Sequence, residues 1–286
     1  MTIYYCSDAI LPPTEINSLT VRGSTIIAEK NVVVLDENEN ETETVKKPEI
    51  INSLDFSEPG EVSVINVLTS LKSIPIVSIS STGYLSLDTI GQLTASKDTL
   101  KKINGRAGYS SYYNSKNMTN VGHLKSLKDF TVLDSITCGG GLISDLLDGV
   151  SECTNFSSIT YLSIKSNNLT DISELSSCTG LKELYCNSNS ISDLTVLKYM
   201  KVLKTADFTN NTIEDLYPLN YLLENETLAL KTLKLDTNLL EKYSINYAKD
   251  NYITSIDSLE HKRSNLETIT ALKNAGCNVT YTGNQL

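Results

Sequence analysis

Three kinds of side chain in this chain could carry chemistry, and their spacing decides against it. Aspartates recur at Asp145, Asp171, Asp193 and Asp215, cysteines stand at Cys6, Cys138, Cys153, Cys178, Cys186 and Cys277, and the two histidines are His123 and His261. A general acid or base needs a second group poised beside it, and a nucleophile needs a base within hydrogen-bond reach. Asp171, Asp193 and Asp215 instead follow one another at a constant interval, as positions of a repeated unit. Each precedes an apolar run, where a short polar side chain caps a helical turn. With no CxxC and only two histidines, a zinc site is not expected. Gly139–Gly141 lacks the Gly-Lys-Ser/Thr that a phosphate loop requires. The acidic run 36–44 lacks the glycine turn and ligand spacing of a calcium loop. No catalytic residue, metal or cofactor is therefore expected, and the chain does not read as an enzyme.

The elements that hold these residues are repeats. Ile159-Thr-Tyr-Leu-Ser-Ile-Lys-Ser-Asn-Asn-Leu-Thr-Asp-Ile is followed, at that same interval, by equivalent stretches from Leu181 and Leu203. The pairs Leu162/Ile164, Leu184/Cys186 and Ala206/Phe208 alternate with period two, as one face of a short strand does. One such face cannot be buried by its own repeat, so successive repeats must stack into a shared core. Leu162, Leu184, Phe208 and Leu233 are expected to be almost fully buried. At the ninth position stand Asn167, Asn189, Asn211 and Asn238, whose amides can bond main-chain groups of their own bend and of the next one. Cys138 and Cys186 occupy inward strand positions and Cys178 an inward position of the return segment. They read as small core residues kept reduced.

The pattern LxxLxLxxNxIxDL resembles the leucine-rich repeat, in the 22-residue internalin-type form found in bacterial surface proteins. The resemblance covers about residues 51–281, and its motifs are specific from 133 to 240. It implies an α/β solenoid, a curved leucine-rich-repeat stack with a parallel concave sheet and short helical turns on the convex side. It also implies a rigid, non-catalytic module that recognises another protein.

Along the chain, residues 1–50 read as an N-terminal cap with an acidic loop, 51–263 as the solenoid, and 264–286 as a C-terminal helix–strand cap. Ile16-Asn-Ser-Leu-Thr-Val fits the strand template loosely, Val32–Leu35 is a second strand-forming run, and 36–44 reads as a mobile loop. Repeats open at Ile51 and Ile74, with Pro59 and Thr82 in the ladder position. The repeat from Leu100 is the long one. It reaches Leu133 only after a tyrosine-rich insertion with Tyr109, Tyr112 and Tyr113. Ser264 and Glu267 have capping-box spacing, Leu266, Ile269 and Leu272 are placed on one helical face, and Gly276 is a natural stop. A net charge of −10 and a pI near 4.8 argue against nucleic acid and anionic membrane as partners. No secretory signal and no apolar run of about 18 residues is visible, so membrane insertion is not expected. Reduced cysteines and the missing signal suggest cytoplasmic origin, or a virion or surface assembly without a classical leader.

Outward positions of the strands are free of scaffold duty. On this register Tyr161 and Tyr185 are neighbours on the exposed sheet face, surrounded by Lys165, Glu183 and Asp207, while Ile76 is also placed outward. An aromatic pair with a polar rim has the composition of a protein-binding hot spot. The leading expectation is a protein partner held on the concave face or by the repeat-four insertion, with Tyr161, Tyr185, Lys165, Glu183, Asp207, Tyr109, Tyr112 and Tyr113 as contacts. The alternatives are a structural subunit of a bacterial surface or phage assembly, in which the chain self-associates, and a glycan-binding adhesin.

Overall fold

The computed structural model describes residues 50–57, 68–69, 71–107, 123–141, 143–225, 228–240 and 264–282, with short strand segments before residue 50. The chain divides into two compact units, Met1–Gly141 and Leu142–Leu286.

In the first unit the strands are β1 (Ile3–Tyr5), β2 (Glu15–Ile16), β3 (Leu19–Arg22), β4 (Thr25–Ala28), β5 (Val34–Leu35), β6 (Glu41–Thr42), β7 (Ile50–Ile51), β8 (Leu54–Ser57), β9 (Ser78–Leu85), β10 (Lys102–Ala107) and β11 (Ser135–Cys138). The main sheet runs β1-β4-β3-β8-β9-β10-β11 and is parallel except for the β3–β4 pair. In the sequence only Gly23 and Ser24 separate those two strands, a two-residue hairpin signal. Ile16 stands level with Ile51, and Leu19 with Leu54, so the loose template at Ile16 has the right register. Part of the acidic run is ordered where a loop is expected: Glu41–Thr42 pairs antiparallel with Val34–Leu35. The rest of 36–44 lies outside the described residues.

One repeat is displaced from its expected start at Ile74. Ile76 does not face outward; it bridges to Ile51 and is fully buried. Ile79 stands level with Leu54 on one side and Ile103 on the other. The repeat therefore opens at Ile76, which brings Ser78 beside Lys102 and Ser80 beside Asn104 and Asp55. Pro75 decides the matter, because it offers the sheet only a carbonyl. That carbonyl accepts the Ile51 N–H at 2.8 Å, and the Val77 N–H returns to Ile51 at 2.9 Å. Thr82 moves out of the ladder position with this shift, and Pro59 lies outside the described residues.

The second unit is the regular one. Strands β12 (Tyr161–Ser163), β13 (Glu183–Tyr185), β14 (Thr205–Asp207), β15 (Thr232–Lys234) and β16 (Asn278–Thr280) lie side by side, all parallel. Leu162, Leu184, Ala206, Leu233 and Val279 form one level row, and all are buried. Ile164, Cys186, Phe208 and Leu235 form the next inward row, each with 0% exposure. The return segments carry short helices. In the shorter repeats this is a five-residue 3-10 helix, Ser173–Ser177 and Thr195–Tyr199. Between Leu203 and Leu230 stands an eight-residue α-helix, Tyr217–Glu224. Gly180 allows the repeats to close up, since a Cβ there would stand 2.2 Å from the Ser157 carbonyl oxygen.

The helix Asn265–Asn274 has the expected capping box: the Ser264 N–H donates to Glu267 Oε2 at 2.7 Å and the Glu267 N–H to Ser264 Oγ at 3.3 Å. Gly276 follows it with φ +84°. Its buried face differs from the expected one. Leu266 is 46% exposed, and Asn265, Thr268, Ile269 and Leu272 turn inward. Asn265 explains the rotation. Its amide donates to the Glu214 and Leu240 carbonyls at 2.7 and 2.8 Å and accepts the Leu216 N–H at 2.9 Å.

At the bend after each strand, two residues do separate work. From the repeat at Leu133 onward the eighth position is left-handed: Ser166, Ser188, Asn210 and Thr237 have φ between 57° and 59°, and Gly140 has φ 78°. The ninth is the asparagine ladder. Asn189 Nδ2 donates to the Ile164 and Cys186 carbonyls at 3.1 and 2.8 Å, while its Oδ1 accepts the Asn167 and Leu169 N–H groups. Asn211 donates to the Cys186 and Phe208 carbonyls and accepts from Ile191. Asn238 donates to Phe208 and Leu235 and accepts from Ile213.

Two outcomes follow for urea unfolding. Asn211→Ala leaves a buried N–H and two carbonyls without this partner and should cost about 2–4 kcal/mol, whereas Asn187→Ala, at a half-buried outward position, should stay within about 0.5 kcal/mol. Thr237→Asn should stabilise by about 1 kcal/mol, because a β-branched residue is strained in the left-handed region and asparagine is not.

Candidate functional site

The strand face opposite the core is where the second unit has side chains to spare. Register places Tyr161 level with Glu183, Ser163 with Tyr185, Tyr185 with Asp207, and Asp207 with Lys234. Tyr161 and Tyr185 are thus diagonal neighbours, within reach for aromatic side chains. Their ring centroids are 5.4 Å apart and the planes are tilted by 40°. Both rings are half-buried, and Ser163, small among large neighbours, retains 4% exposure. The Tyr185 hydroxyl donates to Glu183 Oε2 at 2.8 Å. Loss of solvent, that hydrogen bond and the nearby anionic charges together push the Tyr185 hydroxyl up to about 12.

Of the residues expected to form a site, the fold brings Tyr161, Tyr185 and Glu183 together and sets Asp207 on the next strand. Asp207 is 9% exposed, accepts the Thr209 N–H at 3.0 Å, and faces Lys234 Nζ at 3.4 Å. Lys165 is exposed, beyond the end of β12. Tyr109, Tyr112 and Tyr113 lie outside the described residues. Lys234 was not singled out from sequence, although it holds in its own repeat the position that Asp207 holds in the one before. Farther along the same face, the Thr280 hydroxyl donates to Asp236 at 2.8 Å.

The recurring aspartates are engaged in the scaffold. Asp171 accepts the Ser173 N–H at 2.7 Å, Asp193 the Thr195 N–H at 2.7 Å, and Asp215 the Tyr217 N–H at 2.8 Å. Each ties down an N–H at the start of a return helix, which is the capping work its spacing implies. On that side a pocket of about 330 Å³ lies among Thr195, Lys198, Tyr217, Pro218, Tyr221 and Glu224. Tyr199 and Tyr221 are 45% and 47% exposed there.

Residues 157–199 match the family model for leucine-rich repeats, two copies. That stretch of the chain is made of leucine-rich repeats. Among solved structures, an internalin of Listeria monocytogenes (InlF) is similar at 24% identity and TM-score 0.46, over 66% of this chain and 48% of its own. Internalin C2 of the same organism is similar at 20% identity and TM-score 0.48, over 77% and 92%. A leucine-rich-repeat protein of Leptospira interrogans is similar at 18% identity and TM-score 0.47, over 90% and 66%. The chain thus spans about half the length of the InlF chain. No curated protein sequence matches it. Among the described residues, no helix is long and apolar enough to cross a membrane.

Cysteines in these leucine-rich repeats are core residues. Cys138, Cys153, Cys178, Cys186 and Cys277 are buried thiols that take no part in a disulfide; Cys6 lies outside the described residues. Burial pushes the Cys138 and Cys178 thiols up to about 12 and raises those of Cys186 and Cys277. Reaction requires the thiolate, so these groups are inert at neutral pH. Their titration has a definite sign. Up to about pH 9 the thiols are neutral in both states; above it they ionise in the unfolded chain and stay protonated in the folded one. Stability is therefore lost as pH rises from 9 toward 12, by up to about 1.4 kcal/mol per pH unit for each buried thiol. Urea midpoints at pH 8 and pH 10 should show the fall, and Cys186→Ala should lessen it by the share of one thiol.

Proposed function

We propose that the protein is a non-catalytic interaction module whose strand face in the second unit binds a protein partner. Leucine-rich repeats generally mediate protein–protein interaction, and the partner and its contact residues are the new part of this reading. The observation that carries it is the half-buried Tyr161–Tyr185 contact, set on a face that owes nothing to the core. Paired tyrosines offer large, rigid contact area at small entropic cost, and aromatic anchors dominate protein interfaces. Glu183 and Asp207 flank the pair, with Lys165 and Lys234 completing a polar rim. The alternative role for recurring carboxylates, acid–base catalysis, is disfavoured by their engagement as turn caps.

The test is Tyr161→Ala combined with Tyr185→Ala. An aromatic pair at a half-exposed position contributes on the order of 1 kcal/mol, so the melting temperature should fall by only a few degrees. Affinity capture with the wild-type chain supplies the partner, and its dissociation constant for the double variant should rise tenfold or more, about 1.4 kcal/mol. Equal affinity for the double variant and wild type would show the patch to be idle.

A further inference from the structure

We propose that the Tyr161–Tyr185 patch seats a cationic side chain of the partner, arginine in particular, so that the partner is a protein presenting an exposed basic residue. The proposal rests on the interaction reading above and adds the chemistry of what is bound. The charged residues at outward positions of this face are Lys165, Glu183, Asp207, Lys234 and Asp236. Asp207 is matched by Lys234 at 3.4 Å, and Asp236 accepts the Thr280 hydroxyl. Lys165 stands beyond the end of the strand that carries Tyr161, about 13 Å along its direction. Glu183 is different. It lies level with Tyr161, and its Oε2 is held by the neutral Tyr185 hydroxyl at 2.8 Å. Among the described residues no cation is paired with it. The patch thus consists of two ring faces and one carboxylate with no cation against it among the described residues, half-buried and held by the Tyr185 hydroxyl.

Covering this patch with an apolar surface would strip water from Glu183 without compensation, which is costly. An acidic surface would be repelled. A guanidinium meets both requirements. It lies flat on a tyrosine ring by cation–π attraction and donates in parallel to a carboxylate, a geometry that a point-charge ammonium does not reproduce. The anionic surroundings that raise the Tyr185 hydroxyl are the same charges that would draw a cation to the ring.

The probe is N-acetyl-arginine methylamide, titrated against the full chain with carbon-labelled tyrosine rings. The neutral isostere N-acetyl-citrulline methylamide serves as comparison. Tyr161→Phe and Tyr185→Phe assign the two ring signals among the 15 tyrosines. The expected result is saturable perturbation of both rings by the arginine probe, at least fivefold tighter than by citrulline. Glu183→Gln should remove that preference while leaving the melting temperature within a few degrees. If citrulline binds as well as arginine, or the preference persists in Glu183→Gln, the cationic assignment is overturned. Should the arginine probe fail while Tyr161→Ala with Tyr185→Ala still abolishes partner binding, the interaction reading stands and only the class of side chain is wrong. If the arginine probe fails and the double variant also binds the partner as wild type does, both readings are overturned.

Discussion

Main-chain polarity at the bends is the constraint on which this structure depends. A short strand leaves the chain to turn away from the sheet at once, and the carbonyls and N–H groups of that turn face into the core, where water cannot reach them. One amide per repeat resolves this. Asn189, Asn211 and Asn238 each donate to the end of their own strand and to the end of the preceding one, and each accepts an N–H from the preceding bend. Cohesion between repeats is therefore carried by the same atoms that satisfy each bend. Where an asparagine is missing, as at Gly141, the pattern of strands persists because the inward rows Leu133, Ile136 and Cys138 still pack.

A second constraint sits beside the first. The residue before each ladder asparagine must adopt positive φ, and the chain meets that demand with Gly140, Ser166, Ser188, Asn210 and Thr237. Only glycine and asparagine do so without strain. The strain at the other three sites is tolerated because ladder bonds on one side and buried strand residues on the other fix the backbone. Return segments adapt to what remains. The repeats from Ile159 and Leu181 carry a 3-10 turn and the interval from Leu203 to Leu230 an α-helix, with the aspartates of the pattern tying down the first N–H of each.

Function is left to the positions that neither constraint uses. On the strand face of the second unit those positions hold Tyr161, Tyr185, Glu183, Asp207 and Lys234, a set whose contacts run along one strand, from Tyr185 to Glu183, and across strands, from Tyr161 to Tyr185 and from Asp207 to Lys234. Such a surface can change residue by residue while the core and the bends stay fixed, which is why the repeat architecture is compatible with many partners.

Period and spacing alone determined the repeats from Leu133 to Leu240, the inward rows, the ladder asparagines, the turn-capping aspartates and the capping box at Ser264. Each is a local rule, a simple alternation or a bond within one or two repeats, so it is written in consecutive residues. The Tyr161–Tyr185 proximity was legible for the same reason, since strand pairing converts a repeat offset into a lateral contact. Tertiary structure decided what local rules left open. Ile74 and Ile76 fit the strand template equally well, and only the hydrogen bonds between Pro75, Val77 and Ile51 chose between them. The helix after Ser264 has apolar residues on more than one side, and Asn265 turned Leu266 outward by bonding to the distant Leu240 and Glu214 carbonyls. Spacing places Lys234 on the outward face, but its charge pairing with Asp207 is a choice between side-chain partners that spacing cannot express. Sequence period specifies which residues lie level with one another; which of them bond is settled only when the strands are packed and the remaining polar atoms find partners.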